Sequence, residues 1–333
     1  MNVRVQAVVA LNFLIWIPLP PAYAEWSINS HGTFFYTDDV GIFSATRRLT
    51  RDADPTQPAI DSRLTNQGSD GVFEPMLKFV NSFDSGFGKT VLSLRGDGFI
   101  FFDATRFSHG TLFLQAQQFF TPETSLLFRY YYSPDLFLGD NEERRSGNFL
   151  IAPERVTSHI GSLRLAQELA EDLELRLLAR YGGRLYNQTY EQRDTRFWTI
   201  GPHLEWRVIP AMRLGVSYHF ERGLADGRNQ AEFEDDVSYI NHYASADLDF
   251  ELNEVLSLSV AFHYEYNDWL SRLPGDERNG AYETVYQGEI LLFYRLAERT
   301  RAYAGVQHSR RKESFEPESI LNTNVGIGVT TEF

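Results

Sequence analysis

Alternation of apolar and polar residues, sustained over stretches of ten to fifteen residues, constrains this chain more than any other feature. The last stretch is the clearest. Leu321, Val325, Ile327, Val329 and Phe333 are apolar and share their parity with Thr323 and Thr331, while Asn322, Asn324, Gly326, Gly328, Thr330 and Glu332 occupy the other parity. A period of two places one set on each face of a β-strand. Upstream, Trp198, Ile200, Leu204 and Trp206 alternate with Thr199, His203, Glu205 and Arg207. Leu258, Val260, Phe262, Tyr264 and Tyr266 alternate in the same way with Ser257, Ser259, His263, Glu265 and Asn267.

This pattern predicts fourteen strands, near 26–36, 72–83, 89–102, 109–120, 125–133, 156–167, 173–186, 195–208, 212–222, 238–252, 256–269, 282–296, 300–311 and 319–333. Most exceed the roughly 9–11 residues that a tilted strand needs to cross a bilayer. The connections alternate in length. Short ones, such as Ile209-Pro210-Ala211 and Asn253-Glu254-Val255, separate longer ones at 37–71, 134–155, 223–237 and 270–281. Tight turns on one side and long loops on the other are the habit of transmembrane barrels. A soluble sandwich would also alternate, but it needs neither strands this long nor this alternation of loop lengths. The mean hydropathy of −0.33 does not oppose a membrane protein, because only alternate residues of such a barrel meet lipid.

The N-terminus reads as a secretory signal over residues 1–24, with Arg4, an apolar stretch from Ala7 to Leu19, and the cleavage pattern Ala22-Tyr23-Ala24. The mature unit would be a single domain, 25–333. The chain has no cysteine, which excludes a disulfide scaffold, a thiolate metal site and a Cys nucleophile. The formal net charge is −14, and loss of Arg4 with the signal makes it −15. A nucleic-acid partner, which needs a basic face, is therefore not expected. The aromatic content of 14% opposes disorder.

A signal peptide, the absence of cysteine and a last strand Val325-Gly326-Ile327-Gly328-Val329-Thr330-Thr331-Glu332-Phe333 together resemble Gram-negative outer-membrane proteins. Length and strand count are similar to the monomeric fourteen-stranded porins. The resemblance is one of pattern over the mature chain, and no motif fixes a subfamily. It implies an all-β, up-and-down antiparallel transmembrane barrel in the outer membrane with both termini periplasmic. It also implies a terminal aromatic strand read by the barrel-assembly machinery, and contact with outer-membrane lipids and lipopolysaccharide. Two aromatic girdles are expected at the membrane interfaces: Trp26, Trp206, Tyr294 and Phe333 toward the short turns, and Trp198, Tyr218 and Tyr266 toward the long loops.

The polar face should line the interior, since Arg or Lys facing mid-bilayer costs about 2–4 kcal/mol. The middle strands supply Arg95, Arg129, Arg164, Arg176, Arg180, Arg184, Arg207 and Arg213. Later strands supply Asp247, Asp249, Glu251, Glu265, Glu283 and Glu289. A basic arc beside an acidic arc would set a transverse field across a wet pore, which orients polar solutes. The competing expectation is an ion-pair network that stiffens or closes the wall. Segment 37–71, with Arg47, Arg48, Arg51, Asp52, Asp54, Pro55 and Pro58, could fold inward as a plug; a mobile surface loop is the preferred expectation.

Enzyme classes are weaker. His203, His219 and His263 fall on the inner face and His159, His242 and His308 on the outer, but spacing along one strand does not bring Ser257 to His263. No G-x-S-x-G, P-loop, dinucleotide or HExxH motif is present. The expectation is therefore a pore for small polar solutes or ions, without cofactor or metal. The alternative is a secretion channel for exopolysaccharide or protein that works with a separate periplasmic partner.

Overall fold

The computed structural model describes residues 25–52 and 64–333. The expected signal peptide, 1–24, lies outside the described residues. Fourteen antiparallel strands close into one barrel, each paired with its neighbours in sequence, and β1 is zipped to β14. They are β1 (Glu25–Thr37), β2 (Asp70–Ser85), β3 (Gly88–Phe101), β4 (His109–Phe119), β5 (Thr124–Glu142), β6 (Ile151–Ala170), β7 (Leu173–Tyr186), β8 (Thr195–Ile209), β9 (Met212–Ala225), β10 (Tyr239–Glu251), β11 (Leu256–Trp269), β12 (Tyr282–Ala297), β13 (Thr300–Glu313) and β14 (Ile320–Glu332). Closure leaves no free edge, which is what a sheet in hydrocarbon requires. Glu25 and Phe333 lie at the end that carries the short turns, where Ile28 and Phe333 exchange backbone hydrogen bonds.

The parity read from the sequence is the parity of the wall. Ile200, Leu204, Phe262, Ile290, Leu292, Ile327 and Val329 stand exposed on the outside, a belt of apolar side chains far larger than soluble monomers expose. Strands β7 and β11 fall on the expected residues. The largest departure is at β5 and β6, which extend toward each other and shorten the expected loop 134–155 to 143–150. The pairing slips between Ser133 and Leu136 and again between Phe137 and Gly139. Each bulge resets which residues face inward, so a strict period of two could not be followed through it.

The second departure decides the interior. The segment after β1 does not spread over the surface; it enters the barrel and forms helix α1 (Val40–Asp52). Asp39 caps it. Its carboxylate accepts the Gly41 N–H at 3.0 Å and also the backbone N–H groups of Asn66 at 2.7 Å and Gln67 at 3.2 Å, so one side chain ties both ends of the excursion. Burial pushes the Asp39 carboxyl above its ordinary range, against the pull of those three amides. Val40 and Phe43 pack on Phe35, Val72, Phe99 and Phe101, while Ile42 and Ala45 pack on Leu64, Leu136 and Val156. Charges and prolines in 37–71 suggested a loop, but the apolar cluster Val40, Ile42, Phe43 supplies what burial in the lumen needs.

Candidate functional site: the barrel interior

The helix is held to the wall by polar contacts from several strands. Arg47 makes a two-pronged contact with Glu74 on β2, Nε to Oε2 at 3.0 Å and Nη2 to Oε1 at 3.3 Å. A third donor, Nη1, reaches Glu289 on β12 at 3.3 Å. Its guanidinium lies 4.3 Å from the Phe35 ring centroid. The carbonyl of Thr46, midway along α1, accepts from Gln287 at 3.0 Å and Gln307 at 3.3 Å. Thr46 Oγ1 accepts from Asn324 at 3.0 Å. All of these side chains are buried, so the contacts are made in a low-dielectric setting where their loss is costly.

The expected basic residues all project inward, but they are not a bare arc. Arg95 donates to Asp97 at 3.0 Å and covers the Phe113 ring at 4.7 Å. Arg129 faces the same ring from 5.9 Å. Arg176 pairs with Glu174 and, at 2.6 Å, with Glu205. Arg180 reaches Glu221 at 3.0 Å, and Arg184 donates to the Tyr239 hydroxyl at 2.9 Å above the Phe197 ring. Arg213 bridges Glu205 at 3.0 Å and Asp249 at 2.7 Å. Arg164 is half-buried on β6 and Arg207 is exposed at the turn end. Among the expected acids, Glu289 takes Arg47, Glu283 takes Arg311, and Glu265 is buried. Asp247 lies against Gly215, where a Cβ would come within 2.4 Å of its carboxylate. Glu251 lines the turn-end cavity with Asp249.

The segregation into two arcs is thus corrected. Asp97, Glu174, Glu205 and Glu221 stand among the arginines and neutralise much of the transverse field. The pattern held the cue: Glu174 and Arg176, and Glu205 and Arg207, are two apart and so share the inner face.

At the long-loop end three connections and the start of β6 meet in a buried network. Arg193, from the β7–β8 connection, donates to Glu154 at 2.9 Å and to Asp235 of the β9–β10 connection at 2.8 Å. Arg278, from the β11–β12 connection, lies 3.5 Å from Asp235 and 3.7 Å from Asp276. Burial opposes charge on Asp235, but Arg193 and Arg278 outweigh it and hold its pKa down at about 2. Asp194 is opposite in sense: burial, with Asp226 and Glu191 nearby, lifts it to about 6 despite the Tyr186 N–H that it accepts. Nothing in the residue pattern signals this network, because its members come from β6 and from loops far apart in the chain.

Below α1 and these loops the interior opens. A cavity of about 880 Å³ at the turn end is lined by Arg207, Arg213 and Arg301 and by Asp172, Asp249 and Glu251. The turn-end mouth thus carries both signs of charge. Among the described residues no group of three His, Cys, Asp or Glu is arranged to hold a metal. His263 bonds the Tyr243 hydroxyl at 2.8 Å, and the outer-face His159 and His242 bond Tyr130 and Tyr218, each at 2.7 Å. No Ser lies in reach as a nucleophile in those bonds. On the outside, Trp26, Trp206, Tyr294 and Phe333 stand exposed toward the turn end, and Trp198 and Tyr218 toward the loop end, with Tyr266 half-buried there.

No protein-family model matches the sequence, and no curated protein matches it. Solved structures share the fold. The outer-membrane channel DcaP of Acinetobacter baumannii superposes with a TM-score of 0.52 at 12% identity, covering 93% of this chain and 97% of that one. A bacterial polysaccharide outer membrane secretin gives 0.50 at 9%, covering 92% and 98%. The anion-selective porin from Comamonas acidovorans gives 0.49 at 10%, covering 93% and 99%. The chain is a closed fourteen-stranded barrel of the kind found in outer-membrane porins and channels.

Proposed function

We propose that the protein is an outer-membrane channel for small polar solutes, held shut near its outer mouth by the inward-folded segment after β1. In this proposal the turns and both termini face the periplasm and the long loops face outward. The observation that carries it is the contrast along the barrel: a charged cavity of about 880 Å³ at the turn end, and an inward-folded helix seated by apolar packing in its first turns and by the buried Arg47 and Thr46 contacts beyond them. The apolar packing would suffice to hold a segment in the barrel; the ion pairs add a defined position. Buried ion pairs contribute little net stability over an apolar substitute, yet they define one seated position. Interior charges of both signs suit zwitterionic or hydroxylated solutes better than a single ion type.

The test is single-channel conductance of the mature chain in a planar bilayer, with and without replacement of residues 41–66 by a short Gly-Ser linker. The expected result is a small or absent conductance in the intact chain and a large steady one after replacement. Silence in both, with the barrel shown to be folded by its heat-modifiable mobility, would overturn the proposal. A second reading, an export channel for polysaccharide working with a separate periplasmic partner, draws support from the likeness to the polysaccharide secretin. It is favoured if the linker variant conducts and solutes enter only from the turn side.

A further inference from the structure

Charge is arranged differently at the turn-end mouth from the inner wall beyond it. Farther in, arginines meet carboxylates: Arg95 with Asp97 and Arg180 with Glu221, each at 3.0 Å. At the mouth the register sets like charges opposite each other, Arg207 against Arg213 on β8 and β9, and Arg295 against Arg301 on β12 and β13. Residues so placed have Cβ atoms about 4.5–5.5 Å apart, and like charges there are destabilising. Glu205 and Asp249 neutralise Arg213. Among the described residues Arg207, Arg295 and Arg301 form no ion pair, so the second opposition stands uncompensated. Beside it the wall holds an aromatic ring in a fixed place. Phe293 precedes Arg295 by two residues on the same face, about 7 Å along the strand. Opposite Phe293 stands Tyr303, with ring centroids 5.5 Å apart. The Tyr303 ring lies over Gly328, where a Cβ would come within 2.6 Å of it, and its hydroxyl is hydrogen-bonded to His31 at 2.7 Å. On the other flank of Phe293 the register places Ser257, and beyond Ser257 the carboxylate of Glu251, which also forms no ion pair among the described residues. Phe293, Ser257, Glu251 and Arg301 all line the turn-end cavity of about 880 Å³, a volume within the range of small-molecule sites.

We propose that the turn-end cavity binds a sugar carboxylate, a hydroxylated ring carrying one acid group. The inference deepens the channel reading above and rests on it for the route by which the solute reaches the cavity. Arg295 and Arg301 supply the forked donors that a carboxylate accepts, and the bound anion removes the repulsion between them. The Phe293 face offers apolar area to the C–H face of a sugar ring. Ser257 and Glu251, on the flank away from the arginines, accept from ring hydroxyls. Each competing class leaves part of the cavity unmatched. A neutral sugar leaves the two arginines opposed. An aromatic acid brings no donor to Glu251 and Ser257. A small amino acid answers both signs of charge but leaves Phe293 bare, and an inorganic anion gains nothing from either flank.

The test titrates the folded mature chain in detergent with D-galacturonate, D-galactose, benzoate and L-alanine, reading bound solute by saturation-transfer NMR. Galacturonate should bind roughly tenfold more tightly than any of the other three. Arg295→Gln with Arg301→Gln should weaken galacturonate roughly tenfold and leave the galactose signal as it was, whereas Phe293→Leu should weaken both. Lys89→Gln, at the turn end of β3, should change neither. Should the double Gln variant fail to fold, Arg301→Lys, which keeps the charge and loses the fork, should still weaken galacturonate several-fold. Tetragalacturonate separates two sources of the same chemistry: tighter binding than the monomer assigns the cavity to the end of an acidic polysaccharide, and equal binding to a free sugar acid, either of which upholds the site. Equal binding of galacturonate and galactose, of galacturonate and benzoate, or of galacturonate by wild type and the double Gln variant would each overturn it, as would full displacement by equimolar acetate. Binding is read without a membrane, so its failure and the failure of the channel reading register separately. A barrel that binds galacturonate but stays silent in bilayers keeps the site and sinks the channel.

Discussion

Replacing Arg47 by Met removes the cation that seats α1 while keeping the length and apolar stem of the side chain. In the native arrangement its guanidinium serves Glu74 through two contacts, at 3.0 and 3.3 Å, and Glu289 through one at 3.3 Å. The side chains are about 6%, 0% and 5% exposed. Arg47→Met withdraws a buried cation from two buried carboxylates, and breaking a buried ion pair from one side costs about 3–5 kcal/mol. Withdrawal of α1, which lets water reach Glu74 and Glu289, relieves that cost. At 1.4 kcal/mol per factor of ten, the balance between seated and withdrawn helix should move by roughly two to three and a half orders of magnitude. The assay is planar-bilayer recording of wild type, Arg47→Met, and Arg47→Met with Glu74→Gln and Glu289→Gln. The single variant should show long open events that wild type shows rarely. The triple variant, in which the two carboxylates are replaced by neutral amides, should return toward the closed state. An Arg47→Met barrel that is folded and conducts like wild type would refute the idea that this ion triad holds the helix in place. So would a triple variant as open as the single one.

Gly41→Ala should destabilise the seated helix, although Ala is the better helix former by about 1 kcal/mol, because its Cβ would meet the Leu64 carbonyl oxygen at 2.1 Å; faster proteolytic cleavage within 41–66 is the readout, and protection would contradict it. The loop end should loosen as pH rises from about 4 through about 6, since Asp194 titrates near 6 in the folded protein against 3.8 for an ordinary Asp, so the folded state holds a proton that the unfolded chain releases. Asp235, held at about 2, contributes stability above about pH 4 that is lost only in strong acid. Nicking of residues 187–194 should therefore be slower at pH 5 than at pH 7, and Asp194→Asn should flatten the difference. Ile290→Arg, on the exposed outer wall opposite Val260 and Val306, should cost about 2–4 kcal/mol of folding stability in lipid vesicles; Ser259→Arg, on the inner face beside the cavity, should cost far less. Equal effects would contradict the assignment of faces.

The strands were legible because their information is local. Along β7 and β11, and along β8 as far as Arg207, a residue's face follows from its parity, which lipid outside and water or packing inside enforce. Closure also followed, since an even number of strands joined by alternating short and long links brings the ends together, as β1 and β14 do. The extensions of β5 and β6 were not legible, because two bulges around Leu136 shift the register. What only the tertiary structure decided is where the segment after β1 goes and which charges meet. Charge and proline content made 37–71 look like a surface loop; Val40, Ile42 and Phe43 become core only because β1, β2, β3 and β5 curve around them. Likewise, whether Arg180 fronts a pore or neutralises Glu221, and whether Arg193 of one loop finds Glu154 of β6 and Asp235 of another loop, depends on the closed curvature of the wall. A period along one strand fixes the face a side chain takes, whereas its partner across the lumen is set by distances between residues far apart in the chain.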